Sequence, residues 1–186
     1  MNLSRVICAM LIAISVAGLF AELSEAQVQM QPPGWTPKGV EVLRSTASSR
    51  TEFTLDHSML VLASKLDANN GDLRRVIAGV SGVFVHDYRY AKPWVYDADI
   101  LDSLKAEYRA AGWKQLMNSR DKNGGTDLWV RLENNAISNV AILVAKSSEV
   151  DFFVVSGSIS PLDLSHLGGH FGIPRIEGGV VVPNPH

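Results

Sequence analysis

The stretch KQLMNSRDKNGGTDLWVRLENNAISNVAILVAKSSEVDFFVVSG, Lys114–Gly157, contains four short apolar runs separated by turn-forming residues. Between residues 128 and 133, Leu or Val occupies every second position, which is the pattern of a strand with one buried and one wet face. Asn134 and Asn135 follow, and both can adopt the positive φ of a tight hairpin. The stretch therefore predicts an antiparallel β-meander.

Two strands of this meander are predicted to be central. Residues 140–145 and 150–155 are apolar on both faces, which indicates strands that are covered on both sides. The segment Lys146–Glu149 turns the chain between them. Gly157 introduces a kink at the end of the last strand, and Pro161 then begins a short helix.

The chain before the meander predicts helices and one further strand. Apolar residues at helical spacing indicate a helix with Thr54 or Asp56 as its N-cap, and a second, short helix capped by Asp72. The segment Gly82–Tyr90 is rich in β-branched and aromatic residues, which favours a strand. A helix over Ala98–Ala111 follows it.

The predicted order of elements is helix, helix, strand, helix, four antiparallel strands and a terminal helix. This segregation predicts the α+β class, with the helices packed on one face of a mostly antiparallel sheet. We expect a relative of the ferredoxin-like folds, because strand–helix–strand followed by hairpins recurs in that group.

Residues 1–26 have the three-part build of a secretory signal peptide. Arg5 supplies the positive charge, Val6–Phe20 is uncharged and apolar, and the small residues Ser24 and Ala26 precede the expected cleavage site. The apolar run is shorter than the ~20 residues that span a bilayer, which argues against the alternative of a retained membrane anchor. We therefore expect an exported protein, either periplasmic or secreted.

The composition along the chain predicts three further segments. Residues 27–52 form a Pro- and Ser-rich linker, residues 53–168 an α+β domain, and residues 169–186 a disordered tail rich in Gly and Pro. The single cysteine, Cys8, lies in the predicted signal peptide. The mature chain is therefore expected to have no disulfide and no thiol chemistry.

The overall composition limits the class of protein. Of 186 residues, 46% are hydrophobic and 19% are charged, as in one ordinary globular domain with extensions. Lys and Arg total 17 against 19 Asp and Glu. This balance is too even for a protein that binds nucleic acid electrostatically, so no nucleic-acid partner is expected.

Three blocks of the sequence carry a family resemblance. Ala111–Met117 reads AGWKQLM, spaced strands follow over residues 127–155, and Val154–Leu167 reads VVSGSISPLDLSHL. Together they resemble the domain-of-unknown-function family 4252, over residues 53–167. The resemblance implies a small exported bacterial protein that carries this one domain after a signal peptide. It implies no enzyme activity and no catalytic residue.

The chemistry-bearing motifs favour structural roles. His166 and His170 have the spacing of two metal ligands on one helical face, but Gly168 and Gly169 between them break the helix. Ser156 lacks the Gly two positions earlier that a nucleophile elbow requires. We expect no catalytic residue, no metal site and no cofactor.

One stretch of the sequence is a candidate binding face. It interleaves aromatic rings with basic side chains, which can stack on sugars or hold a peptide or an anionic polymer. Its members are Tyr88, Arg89, Tyr90, Lys92, Trp94 and Tyr96. The alternative is that Tyr88, Trp94 and Tyr96 pack beneath the following helix as ordinary core.

The sequence therefore favours an exported, non-enzymatic envelope domain that binds a protein or polymer partner. The first alternative is an accessory regulator in envelope-stress signalling that docks to a membrane partner. A hydrolase is a further alternative, disfavoured because no nucleophile–base pair is recognisable. The oligomeric state stays open.

Overall fold

The computed structural model describes residues 33–66, 71–93, 98–122, 124–170, 173, 175–177 and 180–182. Within these residues, no helix is both long and apolar enough to cross a membrane. The predicted signal peptide lies outside the described residues. The elements in chain order are α1 (Gly39–Thr46), β1 (Ser49–Asp56), α2 (His57–Leu66), α3 (Gly71–Ile77), β2 (Val80–Arg89), α4 (Ala98–Ala110), β3 (Lys114–Asp121), β4 (Gly124–Glu133), β5 (Ala136–Lys146), β6 (Glu149–Ile159), α5 (Pro161–Leu167), β7 (Arg175–Glu177) and β8 (Val180–Val182).

Six of these strands form one open sheet in the order β1-β2-β6-β5-β4-β3, and every neighbouring pair is antiparallel. The strands β7 and β8 form a separate antiparallel hairpin. The predicted meander corresponds to β3, β4, β5 and β6, and β5 and β6 lie in the interior of the sheet as predicted. The α+β class and the antiparallel sheet are confirmed, and the ferredoxin-like relation stays a prediction.

Two tight turns set the register of the meander. Asn134 and Asn135, between β4 and β5, have φ values of 51° and 61°, which is the conformation the sequence predicts for a two-residue hairpin. Lys146 pairs with Glu149 across the turn between β5 and β6. Because side chains alternate along a strand, these turns decide which residues share a face of the sheet.

Helices cover both faces of the sheet, so the prediction that they pack on one face is wrong. Face A, which carries Val85, Ile142 and Phe153, packs against α2, α3 and α5. Face B, which carries Leu143 and Phe152, packs against α1 and α4. The physical reason is that the interior strands β5 and β6 are apolar on both sides, and each apolar side requires its own cover.

The core on face B is built around Tyr108 of α4. Its ring stacks on Trp129 with 5.3 Å between ring centroids and meets Trp113 edge-on at 5.0 Å. Trp35, which precedes α1, makes a further edge contact with Tyr108 at 5.6 Å. The segment before α1 is therefore part of the folded domain.

On the N-terminal side, the domain begins earlier than predicted. The helix α1 and the first part of β1 occupy the predicted linker, and Val40 and Leu43 of α1 are buried. The predicted helix that follows begins only at His57, where Asp56 Oδ1 accepts a hydrogen bond from the backbone N–H of Met59 at 2.9 Å. Asp56 is thus the N-cap, one of the two that the sequence offered.

On the C-terminal side, the domain extends into the predicted disordered tail. Ile173 is 0% exposed and belongs to the core on face A. Its backbone N–H donates to the His170 carbonyl at 2.9 Å, and its own carbonyl accepts from the Gly169 N–H at 2.7 Å. A single apolar residue delivered to the core by a turn has no periodic signal in the sequence, which is why this extension was missed.

Candidate charged binding site

Two of the three tyrosines of the predicted binding stretch, Tyr88 and Tyr90, belong to the core. Tyr88 is 0% and Tyr90 5% exposed, because Tyr88 on β2 and Tyr90 directly after β2 are both directed to face B, where α1 packs. The Tyr88 hydroxyl donates to Glu52 Oε1 at 2.8 Å, and the Tyr90 hydroxyl donates to the Leu43 carbonyl at 3.1 Å. Burial raises the pKa of Tyr90 to about 12. Neither ring is therefore exposed at the surface, as a stacking face for a partner would require.

The basic members of the same stretch lie on the surface. Arg89 is directed to the opposite side of β2, and 54% of its side chain is exposed. Lys92 is exposed in the segment that follows β2. Trp94 and Tyr96 lie outside the described residues, so their part in a binding face stays a prediction. The neighbours that the tertiary structure places around Arg89 are charged side chains.

Arg89 belongs to a charged cluster at one end of face A. The charged cluster consists of Asp87 and Arg89 on β2, Lys146 on β5, and Glu149 and Asp151 on β6. In the strand register, Asp87 lies opposite Asp151, Arg89 opposite Glu149, and Glu149 opposite Lys146. The cluster is therefore assembled from three strands that are neighbours in the sheet but distant in sequence.

The charged cluster lies at the end of the sheet where the helices of face A do not join it. The helix α2 follows the last residue of β1, α3 precedes β2, and α5 follows β6. Because the strands are antiparallel, all three helices join the sheet at the opposite end. The side chains of the cluster keep between 15% exposure, at Glu149, and 54%, at Arg89. A partner in solution can therefore reach them.

Two cations and three carboxylates form a ladder of ion pairs within the cluster. Arg89 Nη2 lies 3.3 Å from Asp87 Oδ2 and 3.4 Å from Glu149 Oε1. Lys146 Nζ lies 3.5 Å from Glu149 Oε2 and 3.7 Å from Asp151 Oδ2. The cluster as a whole carries one more negative than positive charge when every group is ionised.

The carboxylates of the cluster could also serve as metal ligands by their geometry. One oxygen each from Asp87, Glu149 and Asp151 lies within 4.8 Å of the others, and carboxylate oxygens are the ligands that Ca²⁺ and Mg²⁺ prefer. Arg89 and Lys146 already contribute positive charge at these oxygens. A metal ion would therefore have to compete with these two cations for the same oxygens.

The carboxylates of β2 and β6 are held in an unfavourable environment. Burial raises the pKa of Asp151 to about 7, with a further contribution in the same direction from the negative charge of Glu149. Asp87 Oδ1 is buried, and it makes no hydrogen bond with any residue in the described part of the chain. A perturbed pKa such as that of Asp151 is typical of functional sites.

A second buried carboxylate, Asp127, is fully hydrogen-bonded, unlike that of Asp87. Asp127 is 0% exposed and accepts hydrogen bonds from Gln115 Nε2 at 2.7 Å, Asn118 Nδ2 at 2.6 Å and Arg120 Nη2 at 2.7 Å. Gly125 makes room for this arrangement, because a Cβ at that position would overlap the Arg120 side chain. The donors of β3 thus satisfy Asp127 fully, which is the signature of a structural lock between β3 and β4.

The structure shows the positions of the serine and histidine motifs that the sequence offered for catalysis or metal binding. Ser156 is buried, its hydroxyl donates to Asn139 Oδ1 at 2.7 Å, and it accepts from the Gly34 N–H at 3.2 Å. His166 lies in the last turn of α5, which ends before Gly168, so His170 is not on the same helix.

Sequence reasoning found one member of the charged cluster, Arg89, and missed the others. A partial signal was present, because a two-residue turn after Lys146 places Glu149 opposite it and Asp151 two residues further on the same face. The pairing of β2 with β6 carries no comparable local signal. Asp87 and Arg89 could not be joined to the cluster without the tertiary structure.

The fold and the site together define a class: an α+β domain in which helices cover both faces of an antiparallel sheet and a charged cluster lies at its open end. The chain belongs to the family described as Domain of unknown function (DUF4252), which matches residues 45–167. The match includes all five members of the charged cluster. No significant match exists among the curated proteins or among the solved structures.

Proposed function

We propose that this chain is an exported, non-enzymatic envelope domain that binds a protein or polymer partner through the charged cluster. The observation that carries the proposal is the state of Asp87 and Asp151. Both lie half-buried on interior strands, Asp87 Oδ1 makes no hydrogen bond in the described part of the chain, and burial raises the pKa of Asp151 to about 7. A positively charged group of a partner would pair with the exposed part of both carboxylates, whose side chains keep 25% exposure at Asp87 and 17% at Asp151.

The charge of the cluster indicates the chemistry of the partner. Three carboxylates face two cations, so the site carries excess negative charge once Asp151 is ionised. A basic group, such as a Lys or Arg side chain of a protein or an amine of a polymer, fits this site best. Because a cation favours the ionised carboxylate, binding should strengthen as the pH rises through about 7.

The test compares two variants of natively produced, affinity-tagged protein after chemical cross-linking in the envelope. Asp87→Asn removes a charge from the cluster, whereas Asp72→Asn removes an exposed, ion-paired charge from α3 and serves as the matched control. We expect the wild type and Asp72→Asn to retain the same partner, and Asp87→Asn to lose at least about tenfold of it, since a charge-assisted hydrogen bond contributes ~1.5–3 kcal/mol.

The identity of the retained material distinguishes a protein partner from a polymer partner. One protein species supports a regulatory partner, and sedimentation of the purified domain with isolated cell-wall material supports a polymer. Equal retention by wild type and Asp87→Asn, with both folded by circular dichroism, would show that the charged cluster is not the binding site.

A further inference from the structure

The strand β1 is an edge of the six-stranded sheet that remains open to pairing among the described residues. Its register with β2 runs without interruption from Ser49, opposite Arg89, to Asp56, opposite Gly82. It contains neither Pro nor Gly. A regular edge of this kind is a template for another strand, because its outer N–H and C=O groups have no partner in the sheet.

The other edge of the sheet, β3, is protected against pairing. Its register with β4 shifts between Gln115 and Met117, which is a β-bulge, and its first residue is Lys114. Bulges and lysines are the devices by which edge strands avoid further pairing. The contrast between the two edges singles out β1.

The sequence of β1 is self-complementary in charge. Arg50 and Glu52 flank Thr51 and, by strand alternation, both lie on face B. If two copies of β1 run antiparallel with Thr51 opposite Thr51, each Arg50 lies opposite the Glu52 of the other copy. Opposite charges directly across a strand pair are stabilising, and this register provides two such pairs. In each pair, Arg50 joins Arg44 of the other copy, which already lies 3.1 Å from Glu52 Oε1.

We propose that two copies of this chain associate through β1, antiparallel and centred on Thr51, to form one continuous sheet across a two-fold axis. The same register gives a contact to the side chain of Phe53, which is 41% exposed on face A in the single chain. It would lie opposite Ser49 of the second copy and diagonal to Thr51, so that part of its ring is removed from water.

The dimer brings two charged clusters to the same side of the sheet. Asp87 is opposite Thr51 within each copy, so two strands separate the Asp87 residues of the two copies. Three interstrand spacings of about 4.8 Å place them about 14 Å apart. This consequence rests on the proposed function, because it turns one binding site into a bivalent one and raises the affinity for a repeating or two-fold partner.

The interface is small, so the association should depend on concentration. A contact of one strand per copy falls below the ~1,000 Å² of total buried surface that stable complexes exceed. We expect a dissociation constant in the micromolar range, roughly 1–100 µM.

The first experiment traps the register with engineered cysteines in natively produced full-chain protein with Cys8→Ser. In the proposed dimer, Thr51→Cys lies opposite itself, with a Cβ–Cβ distance of about 4.5–5.5 Å, close to that of a disulfide. Thr54→Cys, an exposed control on the same strand, would lie about 20 Å from its counterpart. Mild oxidation should link Thr51→Cys into a dimer and leave Thr54→Cys monomeric, and equal linking of both variants would overturn the proposed register.

The second experiment measures the charge pairing by analytical ultracentrifugation. Arg50→Glu places two like-charged pairs across the two-fold axis and should weaken dimerisation at least tenfold. Arg75→Glu reverses an exposed arginine on α3 and should leave dimerisation unchanged. A wild-type protein that stays monomeric up to about 1 mM, well above the expected dissociation constant, would overturn the proposal and leave a foreign extended peptide as the occupant of β1.

Discussion

Replacing Asp151 by Asn should stabilise the folded protein at pH 8 and remove part of its pH dependence. Burial raises the pKa of Asp151 to about 7 in the folded protein, whereas an aspartate in the unfolded chain titrates near ~3.9. Between these two values the folded state binds more protons than the unfolded state. The free energy of unfolding contributed by Asp151 therefore falls as the pH rises from about 4 to about 7 and then levels off.

The size of the effect follows from the surroundings of the carboxylate. A pKa difference of this size corresponds to about 4 kcal/mol at most. The charge of Lys146 already lowers this pKa, and the Asp151 side chain keeps 17% exposure, so solvent offsets a further part of the cost. The difference in the free energy of unfolding between the Asn variant and the wild type should therefore increase by about 1–2 kcal/mol, in favour of the variant, from pH 5 to pH 8.

The measurement is urea unfolding of wild type and Asp151→Asn at several pH values from 5 to 8, at constant ionic strength. Asn preserves the shape of the side chain and removes only its charge. Asp72→Asn on α3 is the control, because its carboxylate is exposed and paired with Arg75. A difference between wild type and Asp151→Asn that stays constant over this range would refute the argument from burial.

Three further outcomes are expected. Ile142→Ala or Phe152→Ala should lower the free energy of unfolding by ~2–5 kcal/mol, because both residues are at most 1% exposed, and Leu162→Ala, at 62% exposure, should stay within ~0.5 kcal/mol in the same denaturation assay. Asp127→Ala should cost about 2–3 kcal/mol, because it leaves three side-chain donors without their acceptor; an unchanged urea midpoint would contradict this. Intact-mass measurement of the natively produced protein should show cleavage after Ala26, and a chain that still begins at Met1 would disprove the predicted signal peptide.

The sequence by itself determined the elements whose signals are local. The alternating Leu and Val of β4, the Asn134-Asn135 turn and the doubly apolar runs of β5 and β6 identify the meander and its interior strands. The prediction of one wet face on β4 is wrong, because residues 127–131 are buried on both faces. Pro161 marks the start of α5. Each of these signals acts between residues a few positions apart, so periodicity and turn chemistry are enough to read it.

Only the tertiary structure decided which of these elements face each other. The sequence shows that β6 is apolar on both sides, but the pairing of β6 with β2 rather than with another strand depends on packing across the whole chain. That pairing brings Asp87 against Asp151 and buries Tyr88 and Tyr90 under α1. The aromatic stretch thereby becomes core and a charged cluster takes its place at the surface, because strand alternation sends neighbouring residues to opposite faces and only long-range contacts decide what covers each face.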